Sequence, residues 1–334
     1  MKTIKYFLIT AALFVHSIFS LQAQSTEGKE FWLTFGDVET PIALSSNLYT
    51  IRIVNGSQAT AGYISFKSLG TTEYFTINPF GIYEYDLSST EKEAVSNTTP
   101  GISNKSIYIF SENPVTVYAG ALRGSNGDVT NVLPLTTLNT EYYQISYRPW
   151  GTNSMTDAFA VVATQKNTIV DYERVSTPLN AGDVFYRTSF SDLTGNHISS
   201  NKPVALFAVN QYASIPHSTN PFSSTSRLFQ QLAPINTWDR IFFVPVTIHQ
   251  SNHVRIVVSQ NNTNITQKGG TIQTDVLGAQ TTLANLQAGD FVELIIHSAD
   301  SGCYIQSEKP IAVCSYLTYS GASVPATPAQ CWIP

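Results

Sequence analysis

Hydrophobic and polar residues alternate along most of the chain in the short runs that are typical of β-strands. β-Branched and aromatic residues dominate these runs, and turn-forming residues interrupt them at intervals of about 8–12 positions. Two segments depart from this pattern, and each predicts one or two helical turns: Ser89–Val95, with Ser89 or Thr90 as its cap, and Ser224–Leu232. The alternation predicts an all-β protein.

One sequence pattern occurs three times and indicates how the chain is organised. It reads I-x-S-x-x-P-[VI]-x-[VL]-[YFC] and begins at Ile109, Ile198 and Ile305. The last two copies follow an L-x-A-G-D motif, whose Gly182 and Gly289 each stand 21 residues before the Pro of the pattern. Self-similarity at this level is the signature of an internal repeat.

The repeated pattern predicts a hairpin and, with it, the size of each unit. A strand would end at the Ile, Ser-x-x-Pro would form the turn, and a half-buried strand would follow the Pro. We therefore predict three tandem β-sandwich-like repeats of about 80–110 residues, with an interlocked β-repeat that shares strands between units as the alternative. The predicted units span approximately 28–125, 134–213 and 234–320, and 321–334 resembles the start of a truncated further segment.

The first 23 residues have the pattern of a secretory signal peptide. Lys2 and Lys5 precede the apolar run Tyr6–Phe19, and a cleavage site is predicted after Ala23. No later stretch is apolar enough to span a membrane, so the mature chain is expected to have no transmembrane segment. These features predict a protein that is secreted or displayed on the cell surface.

The chain carries few charges, and this excludes several classes of partner. Only 12% of its residues are charged, with 18 Lys and Arg against 23 Asp and Glu, whereas about 25% is usual. Nucleic-acid binding needs clustered Lys and Arg, so no nucleic-acid partner is expected. Motifs for phosphates, dinucleotides, catalytic Ser or zinc proteases do not occur, and no cofactor is expected.

Three cysteines stand near the C-terminal end of a chain that is predicted to enter an oxidising compartment. Cys303 and Cys314 flank the Ser307–Pro310 segment, which is predicted to form a turn, so a disulfide between them is the candidate pairing. Cys331 could instead pair with either of them, and three free buried thiols are also consistent with the sequence.

Two groups of residues are candidates for a functional site. Tyr147 and Trp150 lie in a segment with Pro149 and Gly151, where aromatic faces can be open to a sugar or protein partner. Burial of Trp150 against a sheet edge is the alternative. His249 and His253 form the one close histidine pair, but a metal site would need a third ligand, and no metal is expected.

Several segments resemble one family of secreted proteins. They are Gly28–Phe35, Leu193–Ile198 with the following S-N-K-P-V-A, Gln231–Trp238, which is similar to Q-L-P-P-x-x-T-W with Ala233 in place of the first Pro, and Pro328–Pro334, which is similar to D-P-x-x-x-W-I-P-P with Thr327 in place of the acid. This combination resembles bacterial secreted proteins, common in Bacteroidetes, related to the N-terminal region of the IgG Fc-binding protein. The resemblance implies a secreted or surface binding module, and it carries over no catalytic or Fc-contacting residue.

The predicted function is therefore a non-catalytic binding or adhesion module that recognises an extracellular host protein or a glycan. Two alternatives are an extracellular glycan-active enzyme or its accessory domain, and a structural spacer. An enzyme should bring carboxylates or histidines with shifted pKa values together in a cleft. A binding module should instead expose an apolar or aromatic patch, and a spacer needs neither feature.

Overall fold

A computed structural model describes residues 25–37, 47–123, 126–151, 155–217, 225–247, 251–297, 299–300, 302–318 and 328–333. The predicted signal peptide lies outside these residues. In chain order the strands are β1 (Glu27–Leu33), β2 (Phe35–Gly36), β3 (Leu48–Asn55), β4 (Thr60–Phe66), β5 (Thr71–Ile77), β6 (Ile82–Asp86), β7 (Ser96–Asn97), β8 (Gly101–Ser103), β9 (Ile107–Arg123), β10 (Asn126–Val132), β11 (Asn139–Tyr143), β12 (Asp157–Ala163), β13 (Thr168–Tyr172), β14 (Val175–Leu179), β15 (Val184–Ser189), β16 (His197–Ala213), β17 (Ser226–Leu232), β18 (Asp239–Val244), β19 (Asn252–Val258), β20 (Ile265–Lys268), β21 (Thr271–Ile272), β22 (Phe291–Ile296), β23 (Cys303–Leu317) and β24 (Ala329–Ile333).

Three large antiparallel sheets contain nearly all of these strands, and the all-β prediction is confirmed. The first sheet has the order β5-β4-β9-β3-β6, the second β14-β13-β16-β12-β15-β8, and the third β18-β23-β19-β22-β21. Further strands pair with the central strand of each sheet: β1 and β10 with β9, β11 and β17 with β16, and β20 and β24 with β23. A short parallel pair, β2 and β7, forms a separate two-stranded sheet.

The helix predicted over Ser89–Val95 is confirmed, and its cap is one residue earlier than expected. Helix α1 spans Ser89–Val95, and Ser88 closes a capping box with Glu91. The helix predicted over Ser224–Leu232 is wrong, because β17 pairs there with β16 and every residue of the strand is buried. Burial between neighbouring sheets outweighs the weak local preference for a helix. No described helix is long and apolar enough to cross a membrane.

The repeated I-x-S-x-x-P pattern lies inside the long strands β9, β16 and β23, so the predicted hairpin turns are wrong. In β9 the residues Ile107–Ser111 pair with β4, and those after Pro114 pair with β3. The partner changes in the same way across Pro203, from β13 to β12, and across Pro310, from β20 to β19. Proline lacks an N–H to donate to a ladder, so it fits the point where a strand leaves one partner for another.

This strand geometry also excludes the predicted Cys303–Cys314 disulfide. Both residues belong to β23, eleven positions apart, which corresponds to about 30 Å or more along an extended strand. A disulfide needs Cα atoms within about 7 Å of each other. All three cysteines are free: Cys303 and Cys314 are buried, and Cys331 is exposed on β24.

The second sheet is sandwiched between the other two, and neighbouring sheets share a hydrophobic core. All seven residues of β12 are buried. Alternate side chains such as Ala158 and Val162 join the core of the first sheet, whereas Phe159 and Val161 pack in a core with residues of the third. A further core lies on the other face of the third sheet. This packing differs from separate sandwiches in series, and β8 even crosses from the predicted first unit into the second sheet.

Three strands that lie outside the predicted units each add to one of the large sheets. Strands β10, β17 and β24 each pair with the second half of the long strand of their own sheet. The segment 321–334, which was predicted to begin a further unit, therefore contributes its described strand to the third sheet. These three strands also contact one another, and they join the sheets along one side.

Candidate functional site

A cavity of about 290 Å³ lies between the second and third sheets. Its walls include Tyr147, Arg148 and Asp192 from the second sheet and its loops, and His253 and Glu293 from strands of the third. Residues of both signs therefore meet at the boundary between two sheets. Clefts between structural units are common places for ligands.

Two of the charged residues at this boundary, Arg255 and Glu293, come from strands in which their immediate neighbours are apolar. In β19, Val254, Ile256 and Val258 point into the core of the third sheet, so the alternate residue Arg255 points toward the second sheet. Glu293 on β22 lies directly opposite Arg255 in the ladder, and side chains at directly opposite positions share a face of the sheet. Strand register therefore brings one buried cation and one buried anion together.

Arg255 is the centre of the boundary, and its hydrogen bonds join the two sheets or secure Glu293. Only 1% of the residue is exposed. Its Nε donates to Glu293 Oε2 (2.9 Å), and its Nη1 donates to Asp192 Oδ2 (2.6 Å), Thr194 Oγ1 (2.8 Å) and the Ser146 carbonyl (2.7 Å). The guanidinium also lies 4.1 Å from the centre of the Tyr147 ring, within range of a cation–π interaction.

Glu293 also makes several interactions within the boundary. Its Oε1 accepts a hydrogen bond from the Tyr147 hydroxyl (3.0 Å) and lies 2.6 Å from His253 Nδ1. Burial alone would raise the pKa of Glu293, but Arg255 and His253 favour the ionised form and hold the pKa at about 2. Glu293 is therefore a carboxylate that only accepts hydrogen bonds.

The loop after β15 supports this arrangement from the second sheet. Thr194 donates to the Ser146 carbonyl (3.0 Å) and accepts from Arg255. Gly195 has φ +88°, and an added Cβ there would overlap the carbonyl oxygen of Gly289 from the third sheet. The Leu193–Ile198 motif, noted above for its family resemblance, thus forms part of the contact between the sheets.

Asp157, a second buried acid, stands behind this loop. Its Oδ1 accepts from Ser146 Oγ (2.6 Å), and its Oδ2 accepts from the Leu193 backbone N–H (2.7 Å). Burial, and then the charge of Asp192, raise the pKa of Asp157 well above its usual range. The Ser146 side chain and carbonyl thereby connect Asp157 to Arg255.

The structure separates the two aromatic residues that were predicted to bind a partner. Tyr147 is buried and lines the cavity, where its hydroxyl is bonded to Glu293. Trp150 does not line the cavity; it is half-buried and lies edge-on to Tyr212, with ring centres 6.2 Å apart. The two therefore do not form one open platform, and a binding role for each stays a prediction.

The described residues contain no group of three or more His, Cys, Asp or Glu that could hold a metal ion. His249 lies outside them, and His253 is engaged by Glu293.

A second candidate site lies on the outer face of the first sheet. Tyr74, Tyr63 and Phe110 are direct cross-strand neighbours on β5, β4 and β9, and Trp32 and Tyr108 are paired on β1 and β9. We call these five residues the aromatic row. Ring centres are 6.2 Å apart for Tyr63–Tyr74, 5.4 Å for Tyr63–Phe110 and 4.9 Å for Trp32–Tyr108. Tyr74 is 75% exposed at one end, whereas Trp32 at the other end is buried and belongs to the hydrophobic core.

Polar groups accompany the aromatic row. The Tyr108 hydroxyl donates to Glu30 Oε2 (2.6 Å). Burial, and then this hydrogen bond, raise the pKa of Tyr108 above its usual value, so its hydroxyl remains a neutral donor. The inner face of the same strands packs in the core through residues such as Ile64 and Ile109. The row is therefore a partly exposed aromatic surface: Tyr74 is open to solvent, and Tyr63, Tyr108 and Phe110 are half-buried.

Sequence reasoning missed Arg255, Glu293, Asp192 and most of the aromatic row. One signal was present for the first two, because a single charge interrupts the apolar strands V-R-I-V-V and V-E-L-I-I. An isolated charge inside a buried strand requires a partner of opposite sign. The row carried no comparable signal, since its members come from four strands whose register the sequence does not reveal.

The chain is similar in sequence to part of one human protein. The human IgGFc-binding protein is 28% identical over 210 residues, which is 58% of this chain and 4% of that protein, so the chain spans only a small part of its relative. A solved structure described as "Structural insight into host cell surface retention of a 1.5-MDa bacterial ice-binding adhesin" is 9% identical. It covers 87% of this chain and 91% of that one, but with a TM-score of 0.14.

The family resemblance seen in the sequence is confirmed by the comparison with family models, while a bacterial origin stays a prediction. The model described as IgGFc binding protein matches residues 128–334. This range contains the cavity, Arg255 and the whole third sheet, and it exceeds half of the chain. The chain therefore belongs to the IgGFc binding protein family.

Proposed function

We propose that this chain is an extracellular binding module, secreted or on the cell surface, that holds a protein partner without covalent chemistry. The observation that carries the proposal is the aromatic row, in which the exposed Tyr74 and the half-buried Tyr63 and Phe110 lie side by side across three strands of one sheet. Tyr and Trp are enriched in the energetically dominant parts of protein interfaces. The relative named for binding the Fc region of IgG makes that fragment a natural first probe.

The position of the row affects which partner is expected. Its residues lie between Trp32 and Phe110, ahead of the region that matches the family model. Immunoglobulin is therefore one candidate partner, and another extracellular protein could take its place. A glycan is the alternative ligand, because sugars also stack on exposed aromatic rings.

The test measures binding of the chain to immobilised IgG Fc, to an array of purified extracellular proteins and to a glycan array. We expect saturable binding to a protein, weakened about tenfold or more in the double variant Tyr63→Ala/Tyr74→Ala. Tyr118→Ala is the matched control, because Tyr118 is a partly exposed tyrosine on β9 outside the row. Binding to glycans alone, or protein binding that survives the double variant, would contradict the proposal.

A glycan-active enzyme is the second candidate, and the observation that favours it is the buried Glu293–His253 pair beside a cavity. The engagement of Glu293 argues for a structural role instead, because an acid with a pKa of about 2 is a poor proton donor at neutral pH. Release of reducing ends from a panel of polysaccharides would support the enzyme. Such activity should disappear in Glu293→Gln if this pair is responsible.

A further inference from the structure

The cavity between the second and third sheets retains several polar groups that the surrounding protein leaves unused. Arg255, Glu293 and Asp192 satisfy one another. By contrast, the half-buried Arg148 and the exposed Asp275, which also line the cavity, form no ion pair or hydrogen bond within the described part of the chain. The unused charges are thus one cation and one anion.

His253 contributes a further unused group, and its chemistry is fixed by Glu293. The residue is 3% exposed, and its Nδ1 lies 2.6 Å from a carboxylate oxygen that only accepts. Nδ1 therefore carries the proton, and in the neutral ring Nε2 presents a lone pair. Among the described residues Nε2 has no partner, so a ligand that supplies an N–H or O–H donor can pair with it.

His217 lines the same cavity as Arg148 and is a further polar group without a partner in the part of the chain that the structure describes. Neither ring nitrogen of His217 has a hydrogen-bond partner among the described residues. Burial, and then the charge of Arg148, lower the pKa of His217. A carboxylate ligand beside Arg148 would pair with its guanidinium group.

The wall of the cavity that contains Asp275 differs in charge and polarity from the wall that contains Arg148. Asp275 belongs to the segment after β21, in the third sheet, whereas Arg148 follows β11 in the second. The apolar side chains of Val276, Leu277 and Ile295 line the cavity on the Asp275 side. The volume of about 290 Å³ is at the lower limit of the roughly 300–1,000 Å³ of typical ligand pockets, so it fits a small molecule.

We propose that this cavity binds a free α-amino acid with an apolar side chain. Its carboxylate would pair with Arg148, its ammonium group with Asp275 and His253 Nε2, and its side chain would contact Val276 and Leu277. Each unused charge then gains a partner of opposite sign. The site is separate from the aromatic row and does not depend on the proposed function.

Isothermal titration calorimetry of the whole chain with L-leucine and matched analogues tests the proposal. We expect saturable binding of L-leucine, and about tenfold weaker binding or none for 4-methylpentanoate, which lacks the ammonium, and leucinamide, which lacks the carboxylate. N-Acetyl-leucine mimics the C-terminal end of a peptide, and leucinamide mimics the N-terminal end. Equal binding of either one would mean that a peptide end is the ligand and would overturn the proposal.

Two variants assign the contacts, and a third serves as the control. Arg148→Gln and Asp275→Asn should each weaken L-leucine binding about tenfold, since each removes one charge pair. Arg240→Gln removes an exposed arginine on β18, outside the cavity lining, and should leave the affinity unchanged. Absence of L-leucine binding up to about 10 mM, tighter binding of glucuronate than of leucine, or equal affinity in Arg148→Gln would each overturn the proposal.

Discussion

Two buried carboxylates join the sheets of this protein, and their surroundings shift their pKa values in opposite directions. Glu293 has Arg255 and His253 beside it, and its pKa is about 2. Asp128, on β10 of the first sheet, accepts backbone N–H groups of Phe229 in the second sheet and Gln330 in the third, each at 3.2 Å. Burial raises the pKa of Asp128 to about 7 although these N–H groups favour its ionised form.

In this protein a buried acid needs a nearby positive charge to remain fully ionised at neutral pH. Backbone N–H groups provide geometry, and at Asp128 three of them offset the cost of burial only in part. A full positive charge at hydrogen-bond distance reverses the balance at Glu293. Asp128 therefore acts as a hydrogen-bonded link among three sheets. Glu293 acts as half of a buried ion pair between two sheets.

Removal of the Arg255 side chain should have the largest effect on the stability of the fold. Arg255→Met leaves Glu293 and Asp192 without their cation in a buried site, so we expect a loss of about 3–5 kcal/mol in the free energy of unfolding. Urea denaturation followed by fluorescence measures it. Arg52→Met is the control, because Arg52 pairs with Glu84 on the surface with both side chains more than half exposed. A loss no greater than the control would show that the buried pair is not needed for stability.

Gly195→Ala should cause the next largest loss in the free energy of unfolding, because it forces the second and third sheets apart. The added methyl group would meet the Gly289 carbonyl oxygen, and the backbone has a positive φ, so we expect a loss of about 2–3 kcal/mol. Gly70→Ala separates the two causes, since Gly70 also has a positive φ but no atom near an added Cβ. Equal losses in the two variants would exclude the inter-sheet contact as the cause.

Each of the two acids should control the stability of the chain in a different pH range. Glu293 has a lowered pKa, so its contribution is present above pH 4.5 and is lost as the pH falls toward 2. Asp128 has a raised pKa, so the folded chain binds its proton more tightly and stability falls as the pH rises from about 4 through 7.

Asp128→Asn should remove much of the second decline, which urea denaturation at several pH values would detect. Asp157, whose pKa is also raised, should account for part of what remains. Parallel curves for the variant and the parent chain between pH 4 and 8 would contradict the assignment to Asp128.

Tyr147→Phe should have the smallest effect. It removes one hydrogen bond to Glu293 but retains the ring against Arg255, so we expect a loss of about 1–2 kcal/mol. The effect should shrink to nearly zero in an Arg255→Met background if the two residues act through Glu293. Fully additive losses in this double-mutant cycle would show that they act independently.

Local features of the fold were predictable from the sequence, and features that depend on strand partners were not. Helix α1 has its own capping residues, so its position follows from a few neighbouring side chains. The Ser-x-x-Pro segments have turn-forming residues but lie within long strands, because the flanking strands on both sides continue the ladders. The Cys303–Cys314 pairing failed for the same reason, since it relied on a turn at Pro310.

The candidate site was even less accessible to sequence reasoning. Tyr147 was identified as a functional candidate from its loop composition, but its burial follows from contact with Glu293, 146 positions later in the chain. The lone charges of Arg255 and Glu293 were visible, although their ladder register was not. Sequence patterns therefore identify unusual residues, and long-range packing decides which of them meet.

The burial of β12 on both faces has a consequence for the evolution of the family. The matched region begins at Asp128, within β10, and thus contains the third sheet, all of the second sheet except β8, and little of the first. In this chain the first sheet covers the outer face of the second, which includes Ala158, Val162 and Phe207. A relative that retained only the matched region would expose this face to water, so it would have to recruit a different neighbour to occupy the same place.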